Sequence, residues 1–335
     1  MSARRRVGTL LRQGTSYRPP WWYRGRHLQT LWGPLLRPLG RPRLRRERLS
    51  TPDGDFLDLD WLEPARLDAP LVVILHGLEG SSRSHYASGL CQEAGRLGLR
   101  AVVMNFRSCS GELNRAPRLY HSGETSDLDW VLGRLIEREP VTRVGLVGVS
   151  LGGNVALKWL GERGDGAREP IAAAVAISTP FELAECARVL DVGLCRRLYT
   201  ERFLSTMKPK LQANAHLYDG RIDLVAAGRA RTFSEYDRFV TAPIFGFADE
   251  RDYWARSSSR PYLPKIRRPA LLINAVNDPF IPPSTLPEAE VAQSPWLEAA
   301  FPPEGGHAGF LEGPWGRRSW AERHALAFLR RHLLG

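Results

Sequence analysis

The pentapeptide Gly148-Val149-Ser150-Leu151-Gly152 constrains this chain more than any other stretch. The short apolar run Arg143 to Val147 precedes it, and Gly153 to Leu160 follows with apolar residues at helical spacing. Strand, sharp turn and helix form the setting in which a serine between two glycines becomes a nucleophile elbow. Such a turn predicts strained backbone angles at Ser150, with its hydroxyl pushed out above the sheet edge. Gly148 and Gly152 stand where strand and helix come too close for a Cβ. The helix aims its first N–H groups at the same spot, which makes the Leu151 N–H a donor to an oxyanion. Alone, the pentapeptide also fits a plain glycine-rich βα turn, so its meaning rests on a histidine and an acid further along.

With 335 residues, 43% of them hydrophobic and 25% charged, the composition is that of a soluble globular protein. The length allows one large α/β domain or two average ones. No run of 18 apolar residues predicts a membrane span. Met1 to Arg12 has a basic flank without an apolar stretch of signal-peptide length, so a cytoplasmic location is expected. The net charge of +11 is uneven: residues 1–48 hold thirteen arginines and one acid, Glu47, and the rest is nearly neutral. An arm of this kind either packs on the body with its arginines in water or touches anionic lipid or an acidic partner. Nothing reads as a nucleic-acid module, so no nucleic-acid partner is expected. Cys91, Cys109, Cys186 and Cys195 form no C-x-x-C pair, which suggests buried free thiols rather than a zinc or redox site. Cys109 lacks the elbow setting and is a weak rival nucleophile.

Along the chain, residues 17–39 mix aromatics, prolines and arginines, and are expected to wrap the body and bury their tryptophans. Arg45 to Pro64 reads as a hairpin about Thr51-Pro52-Asp53-Gly54. Buried strands are expected at Pro70 to Gly77, Arg100 to Phe106, Ile171 to Ser178, Pro269 to Ala275 and Trp296 to Phe301. Helices are expected at His85 to Leu97, Glu124 to Arg138 and Ser319 to Leu333. Strands alternating with helices mean a mostly parallel, doubly wound sheet. About ninety residues separate Ser178 from Pro269, too many for an ordinary connection. Helical patterns at Phe181 to Leu190, Leu194 to Leu204 and around Phe233 to Asp237 make this an inserted cap over the strand ends.

A serine is a poor nucleophile at neutral pH without a base in reach and a third group orienting that base. On such a sheet both come from loops at the strands' carboxyl ends. His307 follows two glycines after the last strand, and Asp278 directly follows a buried strand. Asp249 and Asp252 remain rivals for the acid, whereas Asn277 cannot supply a charge. His76 sits where it would brace the oxyanion loop. His85 and His121 start expected helices in capping or surface roles, His216, His324 and His332 fall on expected helices, and His27 lies in the arm. The second oxyanion donor is expected from the loop after His76-Gly77, at the Leu78 N–H.

Several stretches together resemble the YheT-like esterases, the fourth AB-hydrolase family of the α/β-hydrolase superfamily. They are Pro19 to Thr30, His76 to Ser81, Asn105-Phe106-Arg107, Tyr120 to Thr125, Gly148 to Asn154, Thr241 to Phe247 and Gly305-Gly306-His307. Two positions depart from the family pattern: Ser108 stands where glycine is usual, and Asn277 where a second aspartate is frequent. The resemblance implies an α/β-hydrolase fold with an inserted helical cap, and a serine carboxylesterase or lipase-like hydrolase. Ser150, Asp278 and His307 match the family triad. The expected organisation is an arm over 1–48, core over 49–180 and 266–335, and cap over 181–265. A small-molecule ester, lipid-like esters included, is the expected substrate, with no cofactor and no metal. Acyl transfer, thioester hydrolysis and a non-catalytic binding role are the competing classes.

Overall fold

The computed structural model describes residues 17–63, 68–138, 143–167 and 170–335. Its centre is an eight-stranded sheet in the order β1-β2-β4-β3-β5-β6-β7-β8. The strands are β1 (Leu44–Ser50), β2 (Phe56–Leu62), β3 (Leu71–Leu75), β4 (Arg100–Met104), β5 (Val144–Val149), β6 (Ile171–Ile177), β7 (Ala270–Ile273) and β8 (Leu297–Ala300). β1 and β2 form the expected hairpin, and β2 joins β4 antiparallel. All pairings from β4 across to β8 are parallel. Pro64 lies outside the described residues.

β3 shows why its sequence is apolar throughout. Leu71, Val73 and Leu75 enter one core with α3 (Ser126–Arg138) and α4 (Leu151–Arg163). Val72 and Ile74 enter the opposite core with α2 (His85–Arg96) and the last helix, Trp320–Leu333. Successive side chains alternate across a strand, so one covered on both faces has no place for a polar residue. Because these strands run parallel, their carboxyl ends share one rim, where the loops meet.

The chain leaves β6 at Ile177 and re-enters β7 at Ala270. Between them lie helices Leu183–Leu190, Glu201–Ala213, Leu224–Arg229 and Glu250–Ser257, with shorter turns. The helix expected to end at Leu204 continues to Ala213 beyond a wide turn at Arg196–Thr200. Two apolar clusters hold this insertion together. One joins Leu183, Leu190, Tyr199, Phe233 and Trp254 to Phe280 and Ile281, and the other gathers Leu204, Leu211, Tyr218, Tyr236 and Val240.

The N-terminal aromatics depart from expectation. Tyr17 and Tyr23 are the ones buried, whereas Trp21 is 84% exposed and Trp22 and Trp32 are half-buried. Each tyrosine hydroxyl has an internal acceptor, the Leu311 carbonyl for Tyr17 and the Gln29 carbonyl for Tyr23. That lets the whole side chain leave water. Helix α1 (Arg26–Leu36) follows and buries Gln29, Thr30 and Gly33. Arg45, Arg46 and Arg48 lie within β1, paired with Glu63, Asp60 and Asp58. Residues 1–16 of the arm lie outside the described residues.

Candidate active site

Ser150 sits between β5 and α4 at φ 55°, ψ −121°, in a region side chains disfavour. A Cβ on Gly148 would strike the Gly152 carbonyl, and one on Gly152 would strike the carbonyls of Leu75 and His76. The two glycines are therefore what allows the turn to close. Its N–H donates to the Ile177 carbonyl at 2.8 Å, which fixes the elbow to the neighbouring strand.

His307 and Asp278 reach the same place from two other loops. His307 Nε2 lies 2.9 Å from Ser150 Oγ, and His307 Nδ1 lies 2.9 Å from Asp278 Oδ2. The carboxylate can only accept from Nδ1–H, which leaves Nε2 free to accept from the serine hydroxyl. Asp278 is buried, and its other oxygen accepts from the Phe280 N–H at 2.8 Å. The Phe280 ring stacks on the imidazole at 4.0 Å. Asp249, a rival acid by sequence, caps the helix Glu250–Ser257, and Asp252 accepts from the Ala248 N–H and pairs with Arg256.

The loops bearing His307 and Asp278 are tied together by α1, a part of the site that sequence reasoning missed. Gln29 Oε1 accepts from Asn277 Nδ2 at 2.8 Å and from the Gly305 N–H at 3.1 Å. Asn277 Oδ1 accepts from the Gly306 N–H at 3.0 Å, and Thr30 Oγ1 accepts from the His307 N–H at 3.0 Å. Asn277 donates and accepts at once, which an ionised aspartate cannot do. Ser178, at φ 49°, accepts from the Ala308 N–H. The sequence marks this segment only through the resemblance of Pro19 to Thr30 to the family, which assigns Gln29 and Thr30 no contact.

The two candidate oxyanion donors flank the same serine: Leu78 and Leu151 line one cavity with Ser150 and His307. The Gly77 N–H donates to Tyr86 Oη at 2.9 Å, and the Glu79 N–H donates to Tyr120 Oη at 2.8 Å. Between them, the Leu78 N–H has no acceptor among the described residues. His76 braces this loop from below, its Nε2 accepting from the Phe106 N–H at 3.0 Å. Burial pushes the His76 imidazole down to about 4, so it stays neutral.

The cavity has a volume of roughly 110 Å³ and is walled by Leu183, Leu190, Phe203, Met207, Phe233 and Phe280 from the insertion and the Asp278 loop. His121 also lines it, which corrects the sequence reading. α3 begins only at Ser126, so His121 starts no helix. It is buried among the rings of Phe245, Phe247 and Tyr253, and burial holds it down to about 4. His85 does open α2, but it is no surface group: burial pushes it to about 3. Asp237 faces the cavity too, accepting from Thr241 Oγ1 and Trp254 Nε1, and burial pushes its carboxyl up to about 7. Burial raises the Cys109 thiol to about 12, which leaves no thiolate for attack. Ser108, in the position where glycine is usual, takes the left-handed φ of 60° and ties its loop through Asn114. No cluster of His, Cys, Asp and Glu among the described residues could hold a metal ion.

The family description "alpha/beta hydrolase fold" matches residues 70–314. The chain belongs to the α/β-hydrolase superfamily, in its YheT-like branch. It is similar to the candidate esterase YheT of Escherichia coli, with 40% identity over 292 residues covering 86% of this chain and 84% of that one. Human phospholipase ABHD3 is 30% identical over 312 residues, covering 91% of this chain and 76% of that protein. The monoacylglycerol lipase of Saccharomyces cerevisiae is 29% identical over 287 residues, covering 83% of this chain and 62% of that protein. Among solved structures, the Pyrococcus furiosus esterase Pf2001 shares the fold at a TM-score of 0.56 and 18% identity, over 87% of this chain and 94% of that one. Family and relatives make the chain a hydrolase of the esterase and lipase class. No helix among the described residues is long and apolar enough to cross a membrane.

Proposed function

We propose that the chain hydrolyses carboxylic esters through an acyl-enzyme on Ser150. The observation that carries this is the continuous path from Asp278 through His307 to Ser150, with both gaps at 2.9 Å. As Ser150 Oγ attacks the ester carbonyl carbon, its proton passes to His307 Nε2. The carbonyl π electrons move onto oxygen, and the oxyanion accepts from the Leu78 and Leu151 N–H groups. Collapse expels the alcohol, which takes the proton from Nε2. Water then attacks the acyl carbon by the same route, and the carboxylic acid leaves. Asp278 keeps the imidazole in one tautomer and orientation throughout.

The substrate class follows from the apolar wall that residues 181–265 add over the site as a cap. An acyl chain fits that wall, and the lipase and phospholipase names of two relatives point the same way. The exposed Trp21, Leu35 and Leu36 of the arginine-rich N-terminal region, with Trp315 at the same surface as Trp21, suit a lipid surface as the source of such esters. Anionic vesicles should sediment the wild-type chain and release a Trp21→Ala/Trp315→Ala variant; equal sedimentation would remove the membrane from this reading.

A series of p-nitrophenyl esters from acetate to longer chains tests the activity itself. Ser150→Ala is expected to lose at least about 10⁴-fold in turnover. Equal rates in both proteins would contradict the reading. Transesterified product outweighing hydrolysis at millimolar alcohol, where water is in vast excess, would move it to acyl transfer.

A further inference from the structure

Glu79 immediately follows Leu78, and its surroundings do more than close a turn. Its backbone stands at φ 54°, where a side chain is disfavoured. Its N–H donates to Tyr120 Oη at 2.8 Å, and the Tyr120 hydroxyl donates back to Glu79 Oε1 at 3.0 Å. The Tyr120 ring lies parallel to Phe106 at 5.3 Å. Lys210 Nζ reaches the same carboxylate at 2.9 Å and 3.0 Å. The Glu79 side chain is 8% exposed and that of Lys210 is 29% exposed. Lys210 lies on the helix Glu201–Ala213 of the insertion, so the contact joins cap to core across 131 residues of sequence.

We propose that Glu79, Tyr120 and Lys210 are positioning residues that aim the Leu78 N–H at the oxyanion, and that Lys210 makes this aim depend on a seated cap. The inference rests on the ester-hydrolase reading above. Two physical reasons support it. A hydrogen bond weakens steeply as its angle departs from linear, so a donor serves only while its peptide plane is held. Tyr86 and Tyr120 hold the N–H groups on either side of Leu78, and the Lys210 ammonium keeps the Glu79 carboxylate against Tyr120. Charge gives the second reason. A lone carboxylate one residue from the donor would repel the developing oxyanion, and the ammonium offsets that repulsion. The ammonium belongs to the insertion, so the charge balance at Glu79 depends on the insertion being seated as it is here.

The test compares wild type, Lys210→Met, Lys210→Arg and Tyr120→Phe as full chains on one p-nitrophenyl ester. Loss of an entire oxyanion donor lowers turnover by about 10² to 10³, so a misaimed one should lower kcat in Lys210→Met by roughly 10- to 100-fold. KM should stay within about twofold, because the donor acts only on the transition state. Lys210→Arg should recover to within about threefold of wild type, since it restores the ion pair. Affinity for a trifluoromethyl ketone, whose serine adduct places an oxyanion in the same spot, should fall by the same factor as kcat/KM. Tyr120→Phe should lower kcat in the same sense. A Lys210→Met protein with wild-type kcat, or one that loses thermal stability and KM together without rescue by Arg, would overturn the clamp. A wild type inert toward every ester would overturn the ester reading and the clamp with it, so the two failures are distinct.

Discussion

The loop bearing His307 and the loop bearing Leu78 approach the same serine, yet different regions and different chemistry hold them. On the His307 side, α1 supplies a buried amide and a hydroxyl: Gln29 Oε1 meets Asn277 and Gly305, Thr30 meets His307, and Gln29 Nε2 also donates to Glu304 at 3.4 Å. On the Leu78 side, the insertion supplies an ammonium, and Lys210 meets Glu79 at a partly exposed ion pair. Most of the contacts on the His307 side join neutral groups, so pH and salt act on them less than on an ion pair. The Lys210–Glu79 contact is an ion pair, which salt screens and loss of either partner removes. In the proposed mechanism the base and acid are therefore held from α1, and the oxyanion donor from the insertion.

The comparison breaks most visibly at Gln29. In Gln29→Leu, Asn277 Nδ2 and the Gly305 N–H lose their shared acceptor inside the protein. Each unsatisfied buried group costs about 1–3 kcal/mol, so a markedly lower Tm is expected. The His307 loop also loses its register, and kcat should fall by about 100-fold. Calorimetry and ester turnover on the same preparation check both. A stable protein with normal kcat would remove α1 from the account of the site.

A smaller effect distinguishes the charged interior of the cap. The Asp237 carboxyl is held at about 7 by burial, against 3.8 when unfolded. Between those values the folded chain keeps a proton that the unfolded chain has lost. Stability from this group is therefore complete below about pH 4 and is lost as pH rises through about 7. Asp237→Asn removes that slope. Its Tm relative to wild type should rise between pH 5 and pH 8 by roughly 2–5 °C. A difference that stays flat over this range would place the carboxyl in water rather than in the cavity wall.

What could be read from the sequence follows from the distance over which each feature is specified. The elbow is written in five consecutive residues, and the two glycines carry their reason locally. The central strands could be read because β3 and β7, covered on both faces, are apolar throughout. Gln29 was beyond reach because its partners lie 248 and 276 residues away, and an amide in an arm carries no sign of what it will touch. Lys210 was hidden the same way, as one base on a helix expected to stop at Leu204. His121 lies in the loop before α3, and only the packing of Phe245, Phe247 and Tyr253 from the distant insertion makes it a cavity wall rather than a surface position. The N-terminal tryptophans misled for another reason. Aromatic content predicts that a segment packs, but which rings face inward depends on where each polar tip finds a partner, and the tyrosines found theirs.

The central claim is that Ser150 attacks as a nucleophile with His307 as its base. Treating the full chain with a fluorophosphonate and locating the adduct by peptide mass spectrometry tests this directly. The account predicts one adduct, on Ser150, formed far more slowly in His307→Ala. An adduct on Cys109 instead, or none at all in a folded protein, would contradict it.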